Sequence, residues 1–143
     1  MGAAPLSFRQ VQIVWGIALA FAAVCIVFGG FTRKAFHGGL DWRHGALVVA
    51  AAWSVSGAFS MRRRLLNRAS LKARGGDASA AKTWTAAQFI GIMAANSIVA
   101  WGLVADTVIG SPQWLSDAMY IAGVLLLFKF KPAKSSYSGG LLA

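Results

Sequence analysis

Long apolar blocks alternate with short polar links along this chain, and the pattern predicts helices that cross a membrane. Each of the four blocks is close to the roughly 20 residues that a helix needs to span a bilayer. The predicted spans are residues 11–31, 45–61, 84–105 and 113–130. We therefore expect an all-α integral membrane protein with four transmembrane helices, paired as two helical hairpins in a single domain over residues 1–143.

Local signals predict where several of these helices begin. Asp41 precedes the second apolar block and is a candidate N-cap. Thr85 and Gln88 are three residues apart at the start of the third block, which is the spacing of a capping box. Ser111 followed by Pro112 predicts the start of the fourth helix, because proline is favoured in the first turn.

The composition is typical of a membrane protein with strongly basic polar links. The chain is 57% hydrophobic and 13% charged, with fourteen Lys and Arg residues against four acidic residues. Soluble domains carry about 25% charged residues. Because the basic residues flank apolar spans, and no recognition helix or aromatic-basic platform is visible, we expect anionic lipid headgroups as partners and no nucleic acid.

Half of the basic residues lie in one link, the segment 62–82 between the second and third spans. Its first part, residues 62–74, is expected to prolong the second helix out of the membrane, with Leu65, Leu66 and Ala69 sharing one side that lies on the lipid headgroups. Glycines 75 and 76 then end the helix. The residues expected to contact anionic lipid are Arg62, Arg63, Arg64, Arg68, Lys72 and Arg74.

The distribution of charge predicts the orientation. With both termini inside, eleven of the fourteen basic residues are on the inner side, and Arg33, Lys34 and Arg43 are outside. The positive-inside rule then places both ends of the chain in the cytoplasm (N-in, C-in). We expect a multi-pass protein of the bacterial inner membrane, with a flexible tail over residues 133–143.

Ionisable side chains deep inside a span are the first sign of transport or catalysis in a membrane protein. The sequence predicts none there, since Asp41, Asp106 and Asp117 all map to the outer edge of the spans. This distribution argues against a proton or cation carrier that works through a buried carboxylate. We expect no catalytic residues and no cofactor.

One group of residues in the first link has the side chains of a metal site. His37, Asp41 and His44 are four and three residues apart, which places them on one face if the segment is helical. Two histidines and a carboxylate suit a transition metal, whereas Gly38 and Gly39 argue against a continuous helix. The alternative is that Asp41 is an N-cap flanked by histidines at the membrane interface.

The third span carries small residues at helical spacing. Ala87, Gly91 and Ala95 are four residues apart and form a stripe on one side of the predicted helix. Small residues let the backbone of a second helix approach closely, and they gain nothing from facing lipid. We therefore expect this stripe to pack against another helix.

Polar residues in the same span have two possible roles. Asn96 and Ser97 are its deepest polar residues, and an amide there is expected to bond across to a neighbouring helix, with Ser54 or Ser56 of the second span as its partner. The alternative is that Gln88, Asn96 and Ser97 line a path for a substrate or an ion.

Residues 95–104, Ala-Asn-Ser-Ile-Val-Ala-Trp-Gly-Leu-Val, resemble the outer-helix motif of the rotary ATP synthase c subunit, the proteolipid. Residues 45–105 loosely resemble the hairpin of that family, with its small-residue helix and basic link. The resemblance implies shared helix packing. The proton-binding glutamate of the family would fall on Asn96, and an amide does not take up and release a proton. The second half also resembles small uncharacterised bacterial membrane proteins whose last span is leucine-rich and ends in basic residues.

These features predict a non-catalytic accessory or structural subunit of a membrane assembly, associated with other subunits or with copies of itself. This prediction rests on the abundance of small residues suited to helix packing and on the lack of a recognisable set of catalytic residues in the sequence. An enzyme is not expected. The alternative is a small transporter or channel that works as an oligomer, with Gln88, Asn96 and Ser97 along its path.

Overall fold

The computed structural model describes residues 7–36 and 39–133 of the chain. Four α-helices occupy most of this part, namely α1 (Phe8–Thr32), α2 (Trp42–Arg74), α3 (Ala80–Val104) and α4 (Gln113–Lys129). A π-helical turn, Ala105–Ile109, continues α3. The described residues contain no strand, which confirms the prediction of an all-α fold with four helices.

Side-chain caps account for the starts of the first two helices. Ser7 caps α1, and Gln10 completes a capping box with it, so α1 begins slightly before the predicted span. Asp41 caps α2 as predicted, since its carboxylate accepts a hydrogen bond from the backbone N–H of Arg43 at 3.0 Å. His44 is the second member of this capping box.

The predicted start of α3 is wrong. Thr85 is buried inside the helix, which already begins at Ala80, so Thr85 and Gln88 do not form a capping box. The cause is a turn just before the helix, where the carboxylate of Asp77 accepts from the backbone N–H of Ser79 at 2.8 Å. The turn leads directly into the first helical residues.

The start of α4 is displaced by one residue from the prediction. Pro112 occupies the N-cap position and the helix begins at Gln113, with no side-chain cap bond. Ser111 is not the cap, since its buried hydroxyl has no hydrogen-bond partner among the described residues.

Helix α3 is the centre of the bundle. It packs against α1, α2 and α4, whereas α2 packs mainly on α3. Glycines allow the closest approaches, since Gly123 of α4 lies against Val99 and the backbone of Ala95, and Gly102 of α3 lies against the ring of Tyr120. The largest cluster of buried side chains therefore runs along α3 between α1 and α4.

Helix α2 runs for 33 residues without a break, through the second apolar block and on to its C-cap at Gly75. The predicted helical extension is present, but the side that was expected to face lipid packs on other helices instead. Ala69 is buried in a small core with Val11 of α1 and Trp84 of α3. The extension therefore packs on the first turns of its neighbours.

Within the part of the chain that the structure describes, three helices are long and apolar enough to cross a membrane, namely α1, α2, and α3 together with its π-helical turn. Helix α4 is shorter, at 17 residues. Large apolar side chains on the bundle surface, such as Ile17, Val24 and Leu125, are 63%, 65% and 63% exposed. An apolar surface of this kind suits contact with lipid.

The two ends of the bundle differ in charge. At one end α1 and α3 finish and α4 begins, and four polar side chains meet there; we call it the cluster end. At the opposite end α4 finishes and α2 continues alongside the first turns of α1 and α3 with its row of arginines, and we call this the basic end.

Candidate functional site

Arg33, Asp106, Asp117 and Tyr120 meet at the cluster end, and we call them the Arg–Asp–Tyr cluster. Arg33 Nε lies 2.8 Å from Asp106 Oδ1, and these two atoms form an ion pair without a hydrogen bond between them. Arg33 Nη2 donates to Asp117 Oδ1 at 2.8 Å, and the Tyr120 hydroxyl donates to Asp106 Oδ2 at 2.9 Å. The cluster thus joins the exit of α1, the π-helical turn and α4.

The π-helical turn brings Asp106 into the interior. After the turn the chain reverses at Gly110, whose φ of 69° is a left-handed conformation that favours glycine. The backbone N–H of Ser111 then donates to the carbonyl of Ala105 at 2.9 Å, and that of Lys34 donates to the carbonyl of Asp106 at 2.9 Å. Backbone bonds therefore attach the exit of α1 directly to the turn.

Gly29 leaves the space that the cluster occupies. A Cβ atom at this position would overlap the hydroxyl oxygen of Tyr120 and would lie 3.0 Å from Asp106 Oδ2. The next residue, Gly30, has nothing within 4 Å of the same position. Gly29 is therefore required by the cluster, whereas Gly30 has no comparable role.

The cluster contains one cation and two carboxylates, and these three side chains are buried to different degrees. The side chain of Asp106 is 0% exposed and that of Arg33 is 23% exposed, whereas that of Asp117 is 41% exposed. Arg33 Nη2 also donates to Asp106 Oδ2 at 3.3 Å. The hydrogen bond to Asp117, and after it this bond to Asp106, raises the pKa of Arg33, so the guanidinium stays charged. Through these charges the cluster holds together the exit of α1, the π-helical turn and α4.

The residues considered for a metal site form a helix cap in the structure. Asp41 Oδ1 lies 2.8 Å from His44 Nδ1, and Arg43 Nε donates to Asp41 Oδ2 at 2.6 Å. The bond from Arg43, followed by the contact with His44, lowers the pKa of Asp41 to about 2. His37 lies outside the described residues, and within those residues no group of three His, Cys, Asp or Glu side chains is arranged to hold a metal ion.

Helix α3 carries the residues predicted to pack or to line a path. Gln88, Gly91 and Ala95 are buried, and Asn96 and Ser97 are half-buried. The side-chain oxygens of Gln88 and Asn96 are buried without a hydrogen-bond partner among the described residues. The predicted bond from Asn96 to a serine of α2 is absent there, because both candidate serines donate to carbonyl groups of their own helix.

The basic residues predicted to contact lipid have different environments. Arg62 is half-buried, with its guanidinium carbon 4.4 Å from the centroid of the Phe130 ring. Lys72 Nζ donates to Ser79 Oγ at 2.8 Å and lies 4.0 Å from Asp77 Oδ2. The remaining four are exposed, namely Arg63, Arg64, Arg68 and Arg74.

The sequence alone does not reveal the Arg–Asp–Tyr cluster. Its pattern assigns Asp106, Asp117 and Arg33 to one edge of the spans, and these opposite charges are the signal for an ion pair. The burial of Asp106 depends on the π-helical turn, which has no marker in the pattern. Tyr120 and Gly29 belong to the cluster only through tertiary packing.

No protein-family model matches the chain, and neither a curated protein nor a solved structure matches it. We therefore infer a function from the geometry of the described residues.

Proposed function

We propose that the chain is a four-span protein of the bacterial inner membrane, with both termini and the basic end in the cytoplasm. The path of α4 supports a fourth span, because it begins beside the Arg–Asp–Tyr cluster and leads to Phe130 at the basic end, where the ring lies 5.1 Å from that of Phe59. Its 17 residues extend for about 25 Å, which approaches the hydrocarbon thickness of about 30 Å. The excess of basic residues at the basic end supports the orientation.

We propose further that the protein acts as a non-catalytic accessory or structural subunit of a membrane assembly. The observation that carries this proposal is the uncovered face of α2, which packs mainly on α3. Ala52, Ser56 and Gly57 are exposed on it, and Trp53 is 80% exposed. Small residues permit close helix approach and gain nothing from lipid, so a helix of another subunit is the occupant that suits this face.

The Arg–Asp–Tyr cluster supports the same role. Its charges satisfy one another within the chain and hold α1, the π-helical turn and α4 together. The packing of α2 on α3, and that of Ala69 on Val11 and Trp84, then presents α2 in a constant position on this bundle, as a subunit with a fixed partner requires. The small residues of α3 are already buried inside the bundle, whereas those of α2 are left for contact with a partner.

Photo-crosslinking in native membranes tests the proposal. A photoreactive residue at position 56, in place of Ser56 on α2, should capture one membrane protein in near-stoichiometric yield. The matched control is Ile17, an exposed residue of α1 that we expect to face lipid. A photoreactive residue there should give no protein adduct.

Two outcomes would count against the subunit role. If neither position, or both equally, captures a protein, then α2 has no dedicated partner. If position 56 yields an adduct at twice the 15.1 kDa mass of the chain, the partner is a second copy and the second candidate gains support.

The second candidate is a small oligomeric transporter or channel, and the unpaired amide oxygens of α3 favour it. Gln88 and Asn96 are eight residues apart, or about 80° around the helix axis, so they lie on one side of α3. In an oligomer such groups would find partners along a shared path. Because Asn96 has no titratable group, we expect no proton flux through it.

Reconstitution in liposomes with a pH-sensitive dye under an imposed potential tests this expectation. The wild-type protein should conduct no more protons than protein-free liposomes. A proton flux that disappears in Asn96→Leu, with the fold intact by circular dichroism, would overturn the proposal of a non-transporting subunit.

A further inference from the structure

A groove of about 390 Å³ opens along α2 at the basic end, where the arginines of this helix begin. Its lining combines two guanidinium groups, a hydroxyl and an amide with two apolar side chains, namely Arg62, Arg63, Ser60, Asn67, Phe59 and Leu66. The groove therefore combines apolar surface with several hydrogen-bond donors. Such a surface suits a ligand that has both a hydrophobic part and an anionic part.

A third cation, the ammonium group of Lys129 on α4, lies beside the groove. Lys129 Nζ lies 5.8 Å from the centroid of the Phe59 ring, and this ring packs against Phe130. The guanidinium of Arg62 lies over the other aromatic ring of the pair. Gly91 permits this placement, because a Cβ atom there would lie 2.9 Å from Arg62 Nε.

Arg62, Arg63 and Lys129 have no acidic partner among the described residues. The chain has four acidic side chains, and each pairs elsewhere: Asp41 with Arg43, Asp77 with Lys72, and Asp106 and Asp117 with Arg33. Arg62 Nε is buried without a hydrogen-bond partner in the same part of the chain. The groove and its rim thus concentrate positive charge that the described residues leave uncompensated.

In the proposed orientation we expect the groove to lie at the depth of lipid headgroups. It is formed where the second apolar block of the sequence gives way to arginines. Lys131 Nζ lies 5.5 Å from the centroid of the Trp15 ring at the same end of the bundle. Tryptophan with basic side chains is typical of the membrane–water interface.

We propose that this groove binds one anionic phospholipid. Its phosphate is held by Arg62, Arg63 and Lys129, and an acyl chain follows Phe59 towards the bilayer centre. Ser60 and Asn67 supply hydrogen bonds to a hydroxyl-bearing headgroup, which makes phosphatidylglycerol the best-matched class. The site is complete within this chain and does not depend on a partner subunit.

Native mass spectrometry of the detergent-solubilised full chain tests the proposal, with phosphatidylglycerol as the probe and phosphatidylcholine as the uncharged reference. We expect one tightly retained phosphatidylglycerol per chain. Arg62→Gln and Arg63→Gln should each weaken its binding more than about tenfold, the effect of losing a charge-assisted hydrogen bond. Because Arg62 also contacts Phe130, the exposed Arg63 gives the variant that leaves the fold undisturbed.

Arg64→Gln is the matched control, since Arg64 is the next exposed arginine of α2 and does not line the groove. It should weaken binding no more than about fivefold, the effect of one basic residue near a membrane surface. Equal losses in Arg63→Gln and Arg64→Gln would overturn the site in favour of diffuse attraction. Equally tight binding of phosphatidylcholine, or displacement of the lipid by millimolar inorganic phosphate, would overturn it as well.

Discussion

Asp106 carries a carboxylate with no exposed surface, and such a group is stable only when its charge is compensated. Arg33 supplies the opposite charge and Tyr120 a hydrogen bond. Removing one partner from a buried ion pair typically costs about 3–5 kcal/mol, because the other charge stays buried without compensation. The cluster end should therefore be sensitive to single substitutions that the apolar bundle surface tolerates.

Gly29 and Tyr120 should depend on each other. Gly29→Ala should destabilise the fold by about 1–3 kcal/mol through overpacking against the Tyr120 hydroxyl. Tyr120→Phe alone should cost about 1–3 kcal/mol, because Asp106 loses a donor. The double variant should be more stable than the sum of the two losses predicts, since removal of the hydroxyl makes room for the new methyl group.

Unfolding of the four proteins in detergent measures this coupling. Gly30→Ala is the matched control and should change stability little, because nothing lies within 4 Å of its Cβ position. Strictly additive effects of Gly29→Ala and Tyr120→Phe would show that the two residues do not compete for the same space.

Asp41 should make stability fall in acid. Its pKa is lowered from 3.8 to about 2 in the folded protein, so its carboxylate stabilises the fold fully above about pH 4 and loses this effect as the pH falls through about 2. We expect the Tm of the wild type to fall faster over this interval than that of Asp41→Asn, because asparagine keeps the cap and does not titrate. Parallel pH profiles of the two proteins would argue against this role of Asp41.

At the scale of the helices, Gly91 determines how α2, α3 and the end of α4 fit together. A Cβ atom there would lie 2.9 Å from Arg62 Nε and 3.2 Å from Phe130 Cδ2. Gly91→Ala should therefore lower the unfolding free energy by about 1–3 kcal/mol. Gly16→Ala on α1 has nothing within 4 Å of the new atom and should not destabilise the fold; equal losses in both variants would contradict this view of the interface.

A helix boundary was predictable from the sequence where a contact between neighbouring residues determines it. It was not predictable where tertiary packing determines it. Asp41 caps α2 through bonds to residues that follow it directly, which spacing reveals. Thr85 and Gln88 have the same kind of spacing, yet the turn at Asp77 starts the helix earlier and packing buries both residues. The extension of α2 was predictable from its helix-forming residues, whereas its docking on α1 and α3 was not.

The candidate site was predictable only in part for a related reason. Apolar periodicity and charge bring Arg33, Asp106 and Asp117 to one end of the bundle, but they do not say which of them is buried. Burial of Asp106 follows from five residues of π-helix, a backbone feature without a compositional signature. The groove beside Phe59 likewise depends on the packing of Phe59 against Phe130, two residues that are far apart in the chain.

At the scale of the whole molecule, the two ends should lie on opposite sides of a membrane. In a Cys25→Ala background, a cysteine replacing the exposed Gln113 at the cluster end should react with an impermeant thiol reagent in intact cells. A cysteine replacing the exposed Ser70 at the basic end should react only after permeabilisation. The reverse pattern would invert the proposed orientation, and labelling of both in intact cells would place both ends outside.

The continuity of α2 gives the molecule an unbent outer surface. A helix of 33 residues is a rod about 50 Å long, and it is packed against its neighbours at both ends, through Leu47 near the cluster end and through Ala69 near the basic end. Because the rod has no break and is held at both ends, a partner helix that runs alongside it would meet a straight surface over the whole height of the bundle.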